Sequence, residues 1–197
     1  MLFTHDDGDH FSAERLPDLK GRSVIIIGPP TILKPILLQQ RASIEQIYPM
    51  YTNRFDTQTS VSFQNVTISC YHTKHFNHWE PLHNSYLIEI EGKRLYITGD
   101  SIITEETATW LGKTDAIVCN LVDEGYLKGE LDENAAVDNI LSYLLRIRRL
   151  VHTKMIIVVH LFDCQWCVSG EKLLSSDIVG VKDIAIPLDS DQQIFIE

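Results

Sequence analysis

The sequence predicts one mixed α+β domain over residues 1–197, in which β-sheets are faced by helices. Short apolar runs rich in β-branched residues recur along the chain, and amphipathic segments with helical spacing separate several of them. In a central stretch, polar and apolar residues instead alternate along each predicted strand. A chain of this length can bury roughly 70% of the surface that it exposes when unfolded, which is enough for a sizeable core.

The first elements follow the order strand, helix, strand. SVIIIGPP at 23–30 is a β-branched run ended by glycine and two prolines, which is typical of a buried strand leaving its sheet. TILKPILLQQRA at 31–42 predicts a helix with Pro35 in or near its first turn. SIEQIYP at 43–49 then predicts a short strand.

From residue 57 the pattern changes to alternation, which predicts an antiparallel meander. Its strands are TQTSVSFQ at 57–64, VTISCYH at 66–72 and the two halves of NSYLIEIEGKRLYITGD at 84–100. Glu91-Gly92 is the predicted turn between those two halves.

Helices and strands alternate again in the last part of the chain. The predicted elements are a helix at 104–112, a strand at 115–121, a long helix at 133–151 and a strand at 154–161. Asp132 is a plausible N-cap of the long helix, whose apolar face comprises Ala136, Ile140, Tyr143, Leu144 and Ile147. RIRR at 146–149 ends this helix, where positive charge complements the helix dipole.

Charge and hydropathy restrict the function classes. The formal net charge is −10, and RIRR is the one dense basic tract, so nucleic acid is a poor candidate partner. No apolar run reaches the roughly 20 residues of a membrane-spanning helix. MLFTHDDGDH lacks the basic start and long apolar run of a signal peptide, so we expect a cytoplasmic protein.

The four cysteines fall into two kinds of surroundings. Cys70 and Cys119 lie in apolar strand-like segments, where a thiol behaves as a small hydrophobic group. Cys164 and Cys167 form a CxxC, which is compatible with a redox pair or half of a zinc knuckle. Because the chain has no second CxxC, we expect neither role.

THDDGDHF at 4–11 concentrates possible metal ligands. In an extended segment His5, Asp7 and Asp9 point to one side, and a turn at Gly8 lets His10 join them. Imidazole nitrogen and carboxylate oxygen suit Zn²⁺ or Mn²⁺. An acidic turn that caps the next helix is the alternative, and HxDxDH by itself does not decide between the two.

Three further residues favour the metal site. Asp100 in TGDS follows an apolar strand, where a carboxylate is costly to desolvate unless it binds something. His160 in VVHL ends another apolar strand, and His72 in CYHTKH ends a third, with His75 three residues later. A histidine at one such place is more often a satisfied core residue, but all three together with HxDxDH indicate a shared site.

These motifs resemble those of the metallo-β-lactamase superfamily, and within it the branch similar to L-ascorbate-6-phosphate lactonase. The resemblance rests on THDDGDHF at 4–11, GPP at 28–30, YHT at 71–73, EIEGKRLYITGDS at 89–101 and VVHL at 158–161. It implies an αββα sandwich of two mixed sheets flanked by helices. It also implies a cofactor of one or two zinc ions, or manganese.

The resemblance further implies a role for each ligand. His5 and His72 would bind the first metal, with His75 as an alternative to His72. Asp100 would bridge to a second metal, whose other ligands would be Asp9, His10 and His160. Asp7 occupies the place of a second histidine in the family, and a carboxylate there should shift preference toward Mn²⁺.

The family usually begins with strands that precede this motif, whereas Met1 lies three residues before Thr4. Their absence would leave a sheet edge uncovered. We therefore expect either self-association into a homo-oligomer or a longer native N-terminus.

The implied activity is hydrolysis of a small ester, lactone or phosphoester through a metal-bound hydroxide, with Asp9 and Asp100 as catalytic residues. A weakly metal-binding, non-catalytic protein of the same fold is one rival, and a phosphodiesterase or nuclease is the other. His75, His78 and His83 would supply a proton donor or a phosphate contact, or they belong to a hydrated polar loop. We interpret His152 as structural.

Overall fold

The computed structural model describes residues 1–8, 10–52, 58–75, 82–120, 136–159, 184–187 and 193–196. They separate into two compact units, Met1–Ile88 with Gly99–Ser101 and Glu89–Thr98 with Ile102–Glu197. The expectation of one domain over the whole chain stays a prediction. Asp132, Cys164 and Cys167 lie outside the described residues.

The first unit begins with a parallel strand pair. Strands β1 (Ile26–Gly28) and β2 (Ile47–Pro49) pair in parallel, and each lies within a segment that the sequence predicts as a strand. Helix α1 (Pro30–Leu38) and one 3₁₀ turn at Ile44–Gln46 connect them. Because a crossover connection joins the two strands, they are able to run in the same direction.

Two prolines shape α1. Pro30 is its first residue, where the missing N–H is not needed by the helix. Pro35 is the sixth residue, which places it in the second turn and deeper than the predicted position in or near the first. The buried face consists of Ile32, Leu33 and Ile36, and it packs in one apolar cluster with Leu19 and Ile26.

The first residues of the chain lie beside β1. Ile27 donates its N–H to the Met1 carbonyl at 2.9 Å, and Phe3 donates its N–H to the Ile27 carbonyl at 2.9 Å. This backbone pairing places Thr4 and His5 directly after a segment that is held against β1. The predicted self-association stays a prediction, which light scattering would test.

The alternating segments form the predicted strands. Strands β3 (Gln58–Phe63) and β4 (Val66–His72) make an antiparallel hairpin, and β5 is Asn84–Ile90. Cys70 and Tyr86 are fully buried in a cluster beside Met50. The prediction of Cys70 and Cys119 as core residues is confirmed, and burial raises the pKa of both thiols to about 12.

The second unit is built on parallel strands. These are β6 (Lys93–Ile97), β7 (Ala116–Asn120), β8 (Met155–Val159) and β9 (Ile186–Pro187), and each pairs with the next. Glu91 and Gly92, just before β6, have φ angles of 50° and 77°, as a type I′ turn requires. The predicted turn at these two residues is confirmed.

Two helices accompany these strands. Helix α2 (Glu105–Leu111) begins after Thr104, whose hydroxyl accepts a hydrogen bond from the Thr107 N–H at 3.1 Å. It ends at Gly112, whose φ of 65° suits glycine. Helix α3 (Ala136–Val151) has Arg148 and Arg149 in its last turn, as RIRR predicts.

The predicted apolar face of α3 is confirmed, because its members that the structure describes are all buried: Ile140, Tyr143, Leu144 and Ile147. We expect Leu144→Ala to lower the free energy of unfolding by about 2–5 kcal/mol, since it leaves a cavity in a packed core. Leu145 is 53% exposed on the opposite face, so Leu145→Ala should cost below about 1 kcal/mol. Urea denaturation measures both, and equal losses would contradict the assignment of the buried face.

The predicted α+β class with mixed sheets and flanking helices is confirmed. Parallel and antiparallel strand pairs both occur, and α1 packs on β1 and β2. Within the ranges that the structure describes, no helix has the length and apolar character needed to cross a lipid bilayer.

Candidate metal centre

The N-terminal motif folds into a turn that brings His5, Asp7 and His10 together. Both His10 and Phe11 donate their backbone N–H to the Asp7 carbonyl at 2.9 Å, so the chain reverses direction after Asp7. The His5 side chain is fully buried, whereas the Asp7 side chain is 44% exposed. The motif therefore places one imidazole inside the unit and one carboxylate at its surface.

Asp100 follows β6 by three residues and is 3% exposed. Its Oδ1 lies 3.3 Å from His10 Nε2. Its Oδ2 lies 3.8 Å from His5 Nε2 and 3.5 Å from His75 Nε2. One buried carboxylate thus faces three imidazoles, and its two oxygens face different ones.

His75 comes from the chain just beyond β4. Its backbone forms an isolated antiparallel bridge with Ser101, which aligns it with the segment that carries Asp100. Its Nε2 also lies 3.5 Å from Asp7 Oδ2. His75 therefore contacts carboxylates from both the N-terminal turn and the segment after β6.

Two overlapping groups of metal-ligating atoms result. One comprises His5, Asp7 and His75, the other comprises His5, His10 and Asp100, and the atoms of each group lie within 4.8 Å of one another. His72, the last residue of β4, is buried but belongs to neither group. Asp9 and His160 lie outside the described residues, so their predicted roles stay predictions.

The spacing of these atoms fits a cation. The imidazole–carboxylate distances run from 3.3 to 3.8 Å, beyond the usual length of a hydrogen bond. Two ligands on a tetrahedral ion with bonds of about 2.0–2.2 Å lie roughly 3.3–3.6 Å apart. His5 Nε2 is buried and has no hydrogen-bond partner among the described residues, as an atom aimed at a metal would be.

The surroundings of two histidines in this region, His5 and His83, favour their neutral forms. Burial, reinforced by the nearby His10, lowers the pKa of His5 to about 4. Burial, reinforced by His5, also lowers the pKa of His83 well below its ordinary value. At neutral pH the His5 ring is therefore unprotonated, which is the form that binds a metal.

His83 lies next to the two groups without belonging to either. Its ring centroid is 4.8 Å from that of His5 and 5.4 Å from that of His75. Both His75 and His83 are almost completely buried, so the hydrated-loop interpretation of these two residues is wrong. His78 lies outside the described residues, and His152 is exposed after α3 and belongs to neither group.

The sequence signal for His75 and His83 is weak. They occur in a stretch with several other histidines, HTKHFNHWEPLH at 72–83, and no periodicity distinguishes the buried ones. His75 enters the site through its backbone bridge to Ser101, a long-range contact that local spacing does not encode.

The fold and these two groups define a metal-binding protein of the α+β class. Residues 1–158 match the family model described as beta-lactamase superfamily domain. The chain therefore belongs to the metallo-β-lactamase superfamily, whereas its place in the lactonase-like branch stays a prediction. Among curated proteins, none matches the sequence of this chain.

Solved structures share this fold. Human tRNase Z, short form, superposes with a TM-score of 0.55 at 12% identity, covering 81% of this chain and 70% of that protein. Zn²⁺-bound PqqB from Methylobacterium extorquens superposes with a TM-score of 0.54 at 15% identity, covering 81% of this chain and 60% of that protein. CmlA from Streptomyces venezuelae, a diiron β-hydroxylase, superposes with a TM-score of 0.58 at 14% identity, covering 93% of this chain and 40% of that protein.

Of these similar proteins, PqqB is described as zinc-bound and CmlA as a diiron enzyme, so they do not share one metal. The chain spans 40% of CmlA and 60% of PqqB. At 12–15% identity the likeness concerns the fold alone. Substrate and metal must therefore be argued from the residues of this chain.

Proposed function

We propose that this protein is a metal-dependent hydrolase that acts on a small ester, lactone or phosphoester. The observation that supports this most is the buried carboxylate of Asp100 facing three imidazoles at 3.3–3.8 Å. Asp100, His5 and His75 are buried, and distances of this size match those between ligands that share one tetrahedral cation.

His5, Asp7 and His75 would hold one cation, and His10 with Asp100 would contribute to a second. Asp100 is suited to bridge the two, since its Oδ1 faces His10 while its Oδ2 faces His75. We assign to His75 the place that the sequence prediction gave to His72, because His75 Nε2 lies 3.5 Å from a carboxylate oxygen of both Asp7 and Asp100.

A bound cation supplies Lewis acidity, polarising the scissile group and lowering the pKa of water. The chain supplies the rest. The turn at Asp7 holds His10, the Thr4 hydroxyl shares a hydrogen bond with His5 Nδ1 at 2.8 Å, and the buried Asp100 would balance positive charge. We assign to Asp9, the carboxylate adjacent to His10 in sequence, the orientation of the attacking water and acceptance of its proton.

The metal preference is expected to depend on Asp7. Asp7→His should raise the affinity for Zn²⁺ relative to Mn²⁺ by roughly tenfold, since imidazole suits zinc and carboxylate suits manganese. Competition of both ions against a chromophoric chelator measures the ratio. Asp6→His is the matched control, because Asp6 is exposed and belongs to neither group. An unchanged ratio in Asp7→His would show that Asp7 is not a ligand.

A cleft of about 220 Å³ beside the centre is suited to the rest of the substrate. It is lined by Phe3, Gly8, His10, Phe11, Ser12, Arg15 and Leu16. The rings of Phe3 and Phe11 meet edge to face at 5.4 Å and form an apolar wall. Because His10 lines the cleft and belongs to the second ligand group, a substrate held there has its reacting bond near the metal ligands.

Arg15 gives this cleft a positive charge on a chain of net charge −10, so we infer that the substrate carries an anionic group. Arg15→Ala is expected to raise KM for anionic esters about tenfold, which corresponds to about 1.4 kcal/mol, with kcat little changed. Arg22→Ala removes an exposed arginine outside the cleft and serves as the control. An equal effect on neutral esters would contradict the inference.

Metal content and turnover test the proposed function. After addition of Zn²⁺ or Mn²⁺ and removal of excess ion, elemental analysis should find at least one equivalent bound. A panel of bis-p-nitrophenyl phosphate, lactones and RNA should then show hydrolysis of a small ester. Less than one equivalent with either ion would instead favour a non-catalytic protein of this fold, and cleavage of RNA alone would favour a nuclease.

A further inference from the structure

We propose that His83 is a positioning residue that holds Asp100 in place through a buried chain of hydrogen bonds. The inference rests on the proposed function, since it takes Asp100 as a metal ligand. It adds a role for a histidine that lies beside the ligands without belonging to either group of them.

The first link joins His83 to the backbone of Asp100. The Asp100 N–H donates to His83 Nε2 at 2.8 Å, and both residues are buried. A backbone N–H is always a donor, so Nε2 must be the unprotonated nitrogen of the ring. Its lone pair is occupied by this bond, which leaves none to coordinate a cation.

The other ring nitrogen makes the second link, and its direction follows from the first. A neutral imidazole with a bare Nε2 carries its proton on Nδ1, which donates to Thr73 Oγ1 at 2.9 Å. Thr73 Oγ1 also shares a hydrogen bond with Ser85 Oγ at 2.6 Å. Ser85 Oγ lies 3.1 Å from Ser101 Oγ. All of these side chains are buried, so water competes little for their hydrogen bonds.

The chain begins and ends on neighbouring residues. It starts at the Asp100 N–H and returns to the side chain of Ser101, whose backbone bridges to His75. The segment that carries Asp100 is thereby held by hydrogen bonds at two successive residues, Asp100 and Ser101. The backbone bridge from Ser101 also aligns His75 with this segment. Hydrogen bonds of this kind behind metal ligands typically change metal affinity by 10–100-fold when they are removed.

Nitrogen-15 NMR of the histidine rings tests the geometry directly. In the metal-free protein we expect His83 to show the Nδ1–H tautomer, and its ring resonances should stay in place when zinc is added. The ring resonances of His5, His10 and His75 should shift with zinc. An Nε2–H tautomer, or a zinc-induced shift of His83 like that of the ligands, would overturn the proposal.

Two substitutions test the consequence for the metal. His83→Leu removes both hydrogen bonds and should weaken zinc binding about 10–100-fold and lower kcat with KM little changed. His83→Gln keeps an acceptor for the Asp100 N–H and should recover most of this loss. Equal affinities for the Leu variant and the wild type would also overturn the proposal.

The same data separate this proposal from the proposed function. If zinc shifts the ring resonances of none of the three proposed ligand histidines, the proposed metal centre is wrong, whatever the tautomer of His83. The tautomer measured without zinc still decides whether the hydrogen-bond chain exists, and that reading does not depend on whether either substituted chain folds.

Discussion

Asp100→Asn is expected to lower metal affinity by at least about 100-fold and to abolish hydrolysis, with the fold intact. The substitution keeps the size of the side chain but removes the negative charge and one oxygen acceptor. In the structure that carboxylate faces His10 at 3.3 Å and His75 at 3.5 Å. Without it, both proposed cation positions lose a shared anionic ligand in a buried place, where charge is poorly screened.

The stability of the variant should distinguish loss of metal from loss of fold. A buried carboxylate without a bound cation is costly, so metal-free Asp100→Asn should melt no lower than the metal-free wild type. Adding Zn²⁺ should raise the Tm of the wild type and leave that of the variant unchanged, because only a bound ligand stabilises the native state.

Asp6→Asn is the matched control for this experiment. Asp6 lies between His5 and Asp7 in the sequence, but it is exposed and outside both ligand groups. We expect it to retain metal content, turnover and the zinc-dependent rise in Tm. If Asp100→Asn binds zinc as tightly as Asp6→Asn does, the proposed role of Asp100 is wrong.

Local patterns predict much of the fold because its elements are locally encoded. The β-branched runs, the Glu91-Gly92 turn and the apolar face of α3 each depend on residues close together in sequence. Pro35 shows the limit of such patterns. Its position depends on where the helix begins, and the chain starts α1 at Pro30, which moves Pro35 into the second turn.

The candidate site is predictable in part. His5, Asp7, His10 and Asp100 are recognisable because each sits in a turn or directly after a strand, where side chains of different elements meet. The sequence names His75 only as an alternative to His72 and leaves the role of His83 open. The placement of His75 depends on its bridge to Ser101, and that of His83 on Thr73 and the Asp100 backbone. Long-range hydrogen bonds of this kind leave no periodic signal in the sequence.

Gly99→Ala is expected to destabilise the protein by at least about 2 kcal/mol and to weaken metal binding in the same variant. Gly99 has a φ of 57°, which a residue with a Cβ adopts at a cost. An added Cβ would also lie 2.7 Å from His83 Nε2 and 2.9 Å from Thr4 Cβ. His83 cannot move aside freely, since both of its ring nitrogens are hydrogen-bonded.

Gly21→Ala separates the two causes of this effect. Gly21 belongs to the same unit and has a φ of 71°, but an added Cβ there meets nothing within 4 Å. It should therefore show the backbone cost alone, about 1 kcal/mol, with metal binding unchanged. Urea denaturation and zinc titration of both variants make the comparison. Equal destabilisation by the two would mean that contact with His83 adds nothing, whereas a larger loss in Gly99→Ala together with weaker zinc binding ties the packing around His83 to the position of Asp100.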